Sequence, residues 1–571
     1  MRSPARSDAA DVDDLIGRIT SSACQVAARG SYPEILQDFS PILQAHRGRI
    51  YTEASFNFAD WIVSHVSRGA PEEMKTVSLI NTAVWVLFVA VCPLGVSGGE
   101  RDGAPAHALP EILEATKAPG SLIGMQYENW FTPHNATWDT AEAIPMLGKY
   151  SSYDPAILRK HFEWFGQLGI DWLLIDWSNM LWSKPAWEAH TGSTYELEQT
   201  VAVMFKTALE LAKQGKYAPK MVFMLGLQNG PPIPDGMKRL NGIIAWLKIN
   251  YLSKPEYRNL WLYYDGKPLL TVLYFPSDPC GQLKTDLAAS ALEASDWTVR
   301  WMASQLQYNH AERCGMWSWM DGNVQQVVTN NNGKAEEVVV TPACFQLPSK
   351  GWRHPSATGR DHGAPYLESW KIAFESRPKF IQIHQWNEFA GQKENEGMVE
   401  DYWQQTGKPP SHKTAIYGDE YNLELSDDLE PTKMQECAYR GCGGWGYYYM
   451  NLTKALISLY RGETPDITVL ALSGPFGDPV VQENRLPLRW SIVGRTPQSY
   501  AVFLDGRSIA QNVQGLEYVV DLSRLSSGRH RVKLRAEGVK TYFDLDGTKL
   551  SVKSAKPLPV SSEIEFTYSP R

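Results

Sequence analysis

Between residues 121 and 388 this chain alternates apolar runs of strand length with helix-length amphipathic stretches, and nearly every run ends in polar or aromatic residues. The runs are 121–130, 170–177, 220–229, 268–274, 299–304, 315–321 and 380–388. Runs that stay apolar throughout are what strands covered on both faces require. Helical segments separate them. Asp154-Pro155 supplies an N-cap and a proline at the first helical position. Ile157, Leu158, His161, Phe162, Trp164 and Phe165 then recur at i, i+3, i+4 spacing, and Gly169 stops the helix. On that face His161 reads as a satisfied histidine, not a functional one. Further helices are predicted over 195–214 and 236–252. A β-then-α rhythm sustained over 110–464 implies an α/β fold with a parallel sheet. The repeated polar strand ends favour a closed (β/α)8 TIM barrel over a doubly wound sheet. Seven strands can be placed; the eighth has no clear position.

After residue 465 the pattern shortens. Strands are predicted at 468–472, 488–492, 500–504, 518–522 and 530–535, with Asp505-Gly506 as a hairpin turn. This small all-β segment, 465–571, fits an immunoglobulin-like sandwich, and a structural accessory domain describes it better than a weak carbohydrate binder. At the other end, 74–98 opens with Met74 and Lys75, continues as an apolar core and leaves through Val96-Ser97-Gly98. Those are the parts of a secretory signal peptide. Translation from Met74 is the simplest account, which leaves 1–73 as an extension with no recognisable chemistry and poor order. Residues 77–96 are also about as long as a bilayer-spanning anchor, although Ser78, Asn81, Thr82 and Pro93 weaken it. The expectation is a secreted or extracytoplasmic monomer, which touches a membrane only if 77–96 is an uncleaved anchor.

The formal net charge of −8 and the lack of a basic stripe argue against nucleic acid. No GxGxxG follows the first strand and there is no P-loop, so no nucleotide cofactor is expected, and no CxxC pair or His-rich cluster suggests a metal. Outside 1–98 the cysteines are Cys280, Cys314, Cys344, Cys437 and Cys442. They allow at most two disulfides, with Cys437–Cys442 and Cys314–Cys344 as reasonable pairs. Asn135 and Asn451 open glycosylation sequons, the second at the start of a helix.

The chemistry concentrates at strand ends. Phe380-Ile-Gln-Ile-His-Gln-Trp-Asn-Glu388 delivers His384, Trp386, Asn387 and Glu388 where a parallel barrel does its chemistry. A carboxylate beside an amide, an imidazole and an indole suits a sugar: the ring stacks, the hydroxyls bond and the carboxyl moves a proton. Hydrolysis of a glycosidic bond needs two carboxyl groups. Glu388 is the expected acid/base, Asp176 its first partner, Asp321 the second candidate and Glu128 the third. An ion pair with Arg353 or Arg360 is the rival role for Asp176. Asn387 and His384 are expected to orient hydroxyls, and Tyr127, Trp130, Trp177, Trp319 and Trp386 to line sugar subsites. Glu128 counts with these substrate-binding residues. Residues 346–364 form a long loop suited to a lid, in which His354, Arg360, Asp361 and His362 could meet a charged sugar. Six acidic residues within 419–430 could bind calcium, but their spacing departs from the EF-hand. A solvated face or helix cap fits them better. The run Ser426-Asp-Asp-Leu-Glu430 is also placed to anchor the loop after Glu388.

Three stretches resemble proteins of the glycoside hydrolase family 71 and 99-like group, and more closely an uncharacterised secreted set. They are Leu174-Ile-Asp176-Trp177-Ser178, Gln385-Trp-Asn-Glu388-Phe, and 419–431 followed by Gly446-Tyr-Tyr-Tyr-Met-Asn. The resemblance covers 120–462 and implies a (β/α)8 glycosidase with Glu388 in its catalytic loop. In the endo-acting mannosidases of family 99 a second glutamate stands three residues earlier. Gln385 occupies that position here, so only Glu388 transfers. The expectation is a secreted hydrolase acting on a polysaccharide or glycan. The alternative is a non-catalytic carbohydrate-binding protein on a degenerate barrel.

Overall fold

The computed structural model describes 120–131, 138, 143–178, 194–226, 236–274, 292, 294–303, 314–321, 327–329, 333–343, 346–347, 351–352, 359–360, 363–389, 426–433, 444–463, 465, 467–473, 480–541 and 558–570. The extension 1–73, the segment 74–98 and His354, Asp361 and His362 lie outside the described residues. Among the described residues no helix is long and apolar enough to cross a membrane.

Among the described residues the first sheet has ten strands; Tyr263–Tyr264 and Val328–Thr329 are short antiparallel additions, and eight are parallel: β1 (Leu122–Tyr127), β2 (Trp172–Trp177), β3 (Lys220–Gly226), β4 (Lys267–Leu273), β5 (Thr298–Ala303), β6 (Trp317–Ser318), β7 (Ala335–Val340) and β8 (Phe380–Ile383). The order runs β6-β5-β4-β3-β2-β1-β8-β7, each step parallel. Side chains bridge the remaining seam between β6 and β7. Trp317 Nε1 donates to Glu336 at 2.9 Å and Ser318 N to Glu337 at 3.3 Å. The result is a nearly closed, barrel-like parallel sheet. The strand that escaped the sequence reading is β7, the Ala335–Val340 run.

Helices α1 (Pro155–Leu168), α2 (Thr194–Lys213), α3 (Gly236–Leu247) and α4 (Ala364–Ser376) follow their strands. The start of α1 is built as its sequence demands: the Asp154 side chain accepts from Ala156 N at 2.8 Å, and Gly169 ends the helix with φ 93°. Helix α3 ends earlier than expected. Its last turn widens into a π turn over Lys248–Leu252, which sends Tyr251 against Phe205.

Strand alternation sorts the side chains into two cores. Trp172, Leu174, Val222, Met224, Leu269, Leu273, Met302, Trp317 and Phe380 fill the barrel interior. Their neighbours Leu173, Ile175, Phe223, Leu225 and Ile381 face the helices. The interior is crowded enough to dictate a glycine. A Cβ on Gly124 would stand 2.1 Å from the Trp172 ring. Gly124→Ala is therefore expected to lower stability by about 1–3 kcal/mol through overpacking, measurable as a lower denaturant midpoint.

Beyond α5 (Tyr448–Tyr460) come eight strands: β9 (Thr468–Ser473), β10 (Val480–Val481), β11 (Arg485–Gly494), β12 (Ser499–Leu504), β13 (Arg507–Val513), β14 (Glu517–Asp521), β15 (Gly528–Thr541) and β16 (Leu558–Tyr568). They form two sheets, β9-β11-β14 and β10-β16-β15-β12-β13. The two share one apolar core that includes Leu488, Trp490, Val502, Val532 and Phe566. The expected Asp505-Gly506 turn joins β12 to β13, with both residues at positive φ. Strand β9 is a common wall: Val469 and Ala471 join the barrel's helix-layer core, while Leu470 and Leu472 join the core between the two sheets. Asn451 is buried within α5 and donates to the Tyr447 carbonyl at 3.0 Å, which leaves no room for a glycan.

Candidate active site

At the C-terminal end of the barrel the interior columns turn from apolar to polar. Above Leu122 and Gly124, β1 presents Gln126 and then Glu128. Above Trp172 and Leu174, β2 presents Asp176. Above Phe380, β8 presents Gln382 and then His384. These side chains form one network. Gln126 Nε2 donates to Asp176 Oδ2 at 3.1 Å and stands 3.5 Å from Glu128 Oε1. Gln126 Oε1 meets His384 Nδ1 at 2.8 Å and Gln382 Nε2 at 3.4 Å. His384 Nε2 lies 2.6 Å from Asp427 Oδ2. Gln385 Nε2 reaches Asp427 Oδ1 at 3.3 Å and also donates to Glu388 Oε2. Asp176 is thus linked through buried polar groups to Glu388.

Asp176 and Glu388 are partly open to solvent; Glu128 is buried. Burial, the Asp176 charge and a hydrogen bond with Asp176 push the Glu128 carboxyl well above the usual carboxylate range. Burial raises the Asp176 carboxyl too, while the Ser178 donors, Glu128 and His384 pull it back. Asp176 makes no ion pair with Arg360. That guanidinium lies over Trp445 at 3.7 Å and donates to Ser426 and the Asp428 carbonyl.

The segment 426–430 corrects the expectation of a solvated acidic face. Ser426, Asp427, Asp428 and Glu430 are all buried. Asp428 accepts the backbone N–H groups of Glu388 and Phe389, the second at 3.0 Å, and so fixes the turn that carries Glu388. Glu430 accepts from Tyr150 at 2.7 Å and meets His161 Nε2 at 3.1 Å. His161 Nδ1 in turn bonds the Tyr127 hydroxyl at 3.0 Å, so it is a satisfied interior histidine. Burial, then the Glu430 charge, holds both Tyr127 and Tyr150 well above the usual phenol range; they remain neutral donors.

Several expected sugar contacts are corrected by strand geometry. Tyr127 and Trp177 sit at the outward positions of β1 and β2 and are closed to solvent, as is Trp386. Tyr127 meets Phe165 edge-on, Trp177 packs on Phe223 and Trp246, and Trp386 packs on Phe165 and Trp164. They fill the layer between barrel and helices and leave no ring face for a sugar. Trp130 is buried against Phe131. Trp319 is the exception: it is partly exposed and edge-on to His384 at 5.4 Å. Asn387 is buried and committed to the backbone of Glu128, accepting from its N–H at 2.9 Å and donating to its carbonyl at 3.0 Å. It holds Glu128 in place and offers no free amide to a hydroxyl. Asp321 is buried and accepts from Ser318 Oγ at 2.9 Å. Among the described residues no His, Cys, Asp and Glu cluster is arranged to hold a metal ion.

Gln126 and Gln382 went unnoticed in the sequence, whereas Asp427 and Asp428 belong to the 426–430 run read there as an anchor for the chain at Glu388. The available signal was period two: Gln126 shares the interior face with Glu128, and Gln382 shares it with His384.

No protein-family model matches the chain, and no curated protein matches it. Solved structures do. A GH99 endo-alpha-mannosidase from Bacteroides thetaiotaomicron is 16% identical, over 60% of this chain and 97% of its own, with a TM-score of 0.38. A glycoside hydrolase-like protein is 12% identical, over 60% and 95%, with a TM-score of 0.33. Bacteroides uniformis beta-glucuronidase is 12% identical, over 79% and 46%, with a TM-score of 0.32. At such identities and scores the likeness assigns neither activity nor substrate.

Proposed function

We propose that this chain is a glycoside hydrolase that cleaves a polysaccharide or glycan outside the cytoplasm. The observation that carries the reading is Asp176. It ends a buried strand at the C-terminal mouth of the barrel, is partly open to solvent, and is held by Ser178 N at 2.8 Å and Gln126 at 3.1 Å. A carboxylate fixed at that end is poised to act as nucleophile or base. Glu388, on the turn fixed by Asp428, supplies the proton to the leaving oxygen; water then gives a proton to Glu388 if Asp176 is the nucleophile, or to Asp176 if it is the base. Trp319 offers the sugar an apolar edge. The disulfide at Cys314 supports an oxidising compartment, in keeping with a signal peptide at 74–98. Cys344, its expected partner, lies outside the described residues. The division is a barrel over 110–464 and an immunoglobulin-like accessory sandwich over 465–571.

Gln385 favours a second reading. The amide bonded to Glu388 cannot act as a base, and a sugar-binding barrel without turnover would tolerate it. The test is release of reducing ends from a panel of purified polysaccharides by the wild type and by Glu388→Gln. Release that disappears in the variant supports the hydrolase. Glycan binding with no release, equal in both proteins, supports the binder.

A further inference from the structure

We propose that Glu128 is the proton-holding partner of Asp176: a positioning residue whose carboxyl group donates to Asp176 and keeps that carboxylate oriented in the barrel mouth.

The assignment follows from the donors. Two ionised carboxylates offer only acceptors, yet the Glu128 and Asp176 carboxyl groups converge on one donor, Gln126 Nε2, at 3.5 and 3.1 Å. One proton held by the pair removes that deficit. Asp176 is well supplied as an anion, with Ser178 N at 2.8 Å on Oδ1 and Gln126 Nε2 at 3.1 Å on Oδ2. Glu128 is not. Its Oε1 has only the same Gln126 amide at 3.5 Å, and its buried Oε2 has no donor among the described residues. The proton therefore resides on Glu128. The Glu128 side chain is buried, and Asn387 clamps its backbone on both the N–H and the carbonyl. The charges around it act in the same sense. Asp176 on β2 and Asp428 on the 426–430 segment both oppose ionisation of Glu128, and Tyr127, at its back, is neutral. His384 on β8 acts on Asp176 instead and favours its charged form.

Infrared spectra of the wild type and Glu128→Gln at neutral pH test the proton directly. A protonated-carboxyl band present in the wild type and missing from the variant is the expected result; no such band overturns the proposal. Thermal unfolding gives a second reading. Below the ordinary carboxylate range, folded and unfolded chains both hold this proton. Above that range the unfolded chain releases it while the folded chain keeps it, so the wild type loses stability as pH rises until the folded site titrates. The melting temperature of Glu128→Gln should rise relative to wild type over that interval, and a constant difference would contradict the assignment.

The kinetic consequence rests on the hydrolase reading. Glu128→Gln, whose amide still donates to Asp176, should keep kcat within about tenfold, whereas Glu128→Ala should lose on the order of a hundredfold. Equal losses in the two variants, with an unmoved pH profile, would refute the positioning role. If Glu128→Ala fails to fold, the infrared comparison still decides. A band without turnover in any protein would overturn the hydrolase reading alone, and turnover without a band would overturn this one alone.

Discussion

Asp176→Asn should lower kcat on the order of 10³-fold and leave the fold intact. The substitution keeps the shape of the side chain and its acceptor for Ser178 N, and removes the charge. Asp176 stands at the last interior position of β2, above Trp172 and Leu174, in a column packed from below. Nothing in that column depends on its charge for packing. The expected pattern is a large fall in kcat, little change in KM and an unchanged melting temperature. A variant with wild-type kcat would remove Asp176 from the chemistry. A variant that merely melts earlier would make it a structural group.

Trp386→Ala carries the second large effect, and it falls on stability. Its indole is closed to solvent and packed by Phe165 at 4.8 Å, Trp164 at 5.9 Å and His161 at 5.7 Å. Truncation of a buried tryptophan costs about 3–5 kcal/mol, which should appear as a fall in denaturant midpoint with little change in slope. Trp386→Phe should recover much of that loss. If Trp386 instead formed a sugar subsite, its removal would raise KM and barely move the midpoint. The same contrast applies to Trp177, which packs on Trp246 across the helix layer.

Much of the fold was legible because the apolar runs and helix caps carry strong local signals. The α1 helix begins at Asp154-Pro155 and ends at Gly169 as its sequence requires, and the Asp505-Gly506 turn joins the strands it separates. Strand β7 was illegible because its Ala335–Val340 run lacks the polar end that marked the other seven. At the site, the strand-end position of Asp176 and the anchoring of the turn at Glu388 by 426–430 were both readable. The side to which each residue points was less so. Tyr127 and Glu128 are adjacent in sequence but lie on opposite faces of β1, and a polar or aromatic strand end does not say which of its residues enters the barrel. The run 426–430 was read as an anchor near Glu388, but which atoms meet was not legible: Asp428 pairs with the Glu388 and Phe389 backbone and Asp427 with His384 across more than 35 residues of sequence.

The most direct test of carboxylate-driven hydrolysis at the barrel mouth is chemical rescue of Asp176→Ala on the polymer that the wild type degrades. Truncation opens space where the carboxylate stood, and formate is small enough to enter it. The account predicts turnover by the wild type, its loss in Asp176→Ala and partial recovery as formate is added, with no recovery in Glu388→Ala under the same conditions. Undiminished turnover by Asp176→Ala would contradict it.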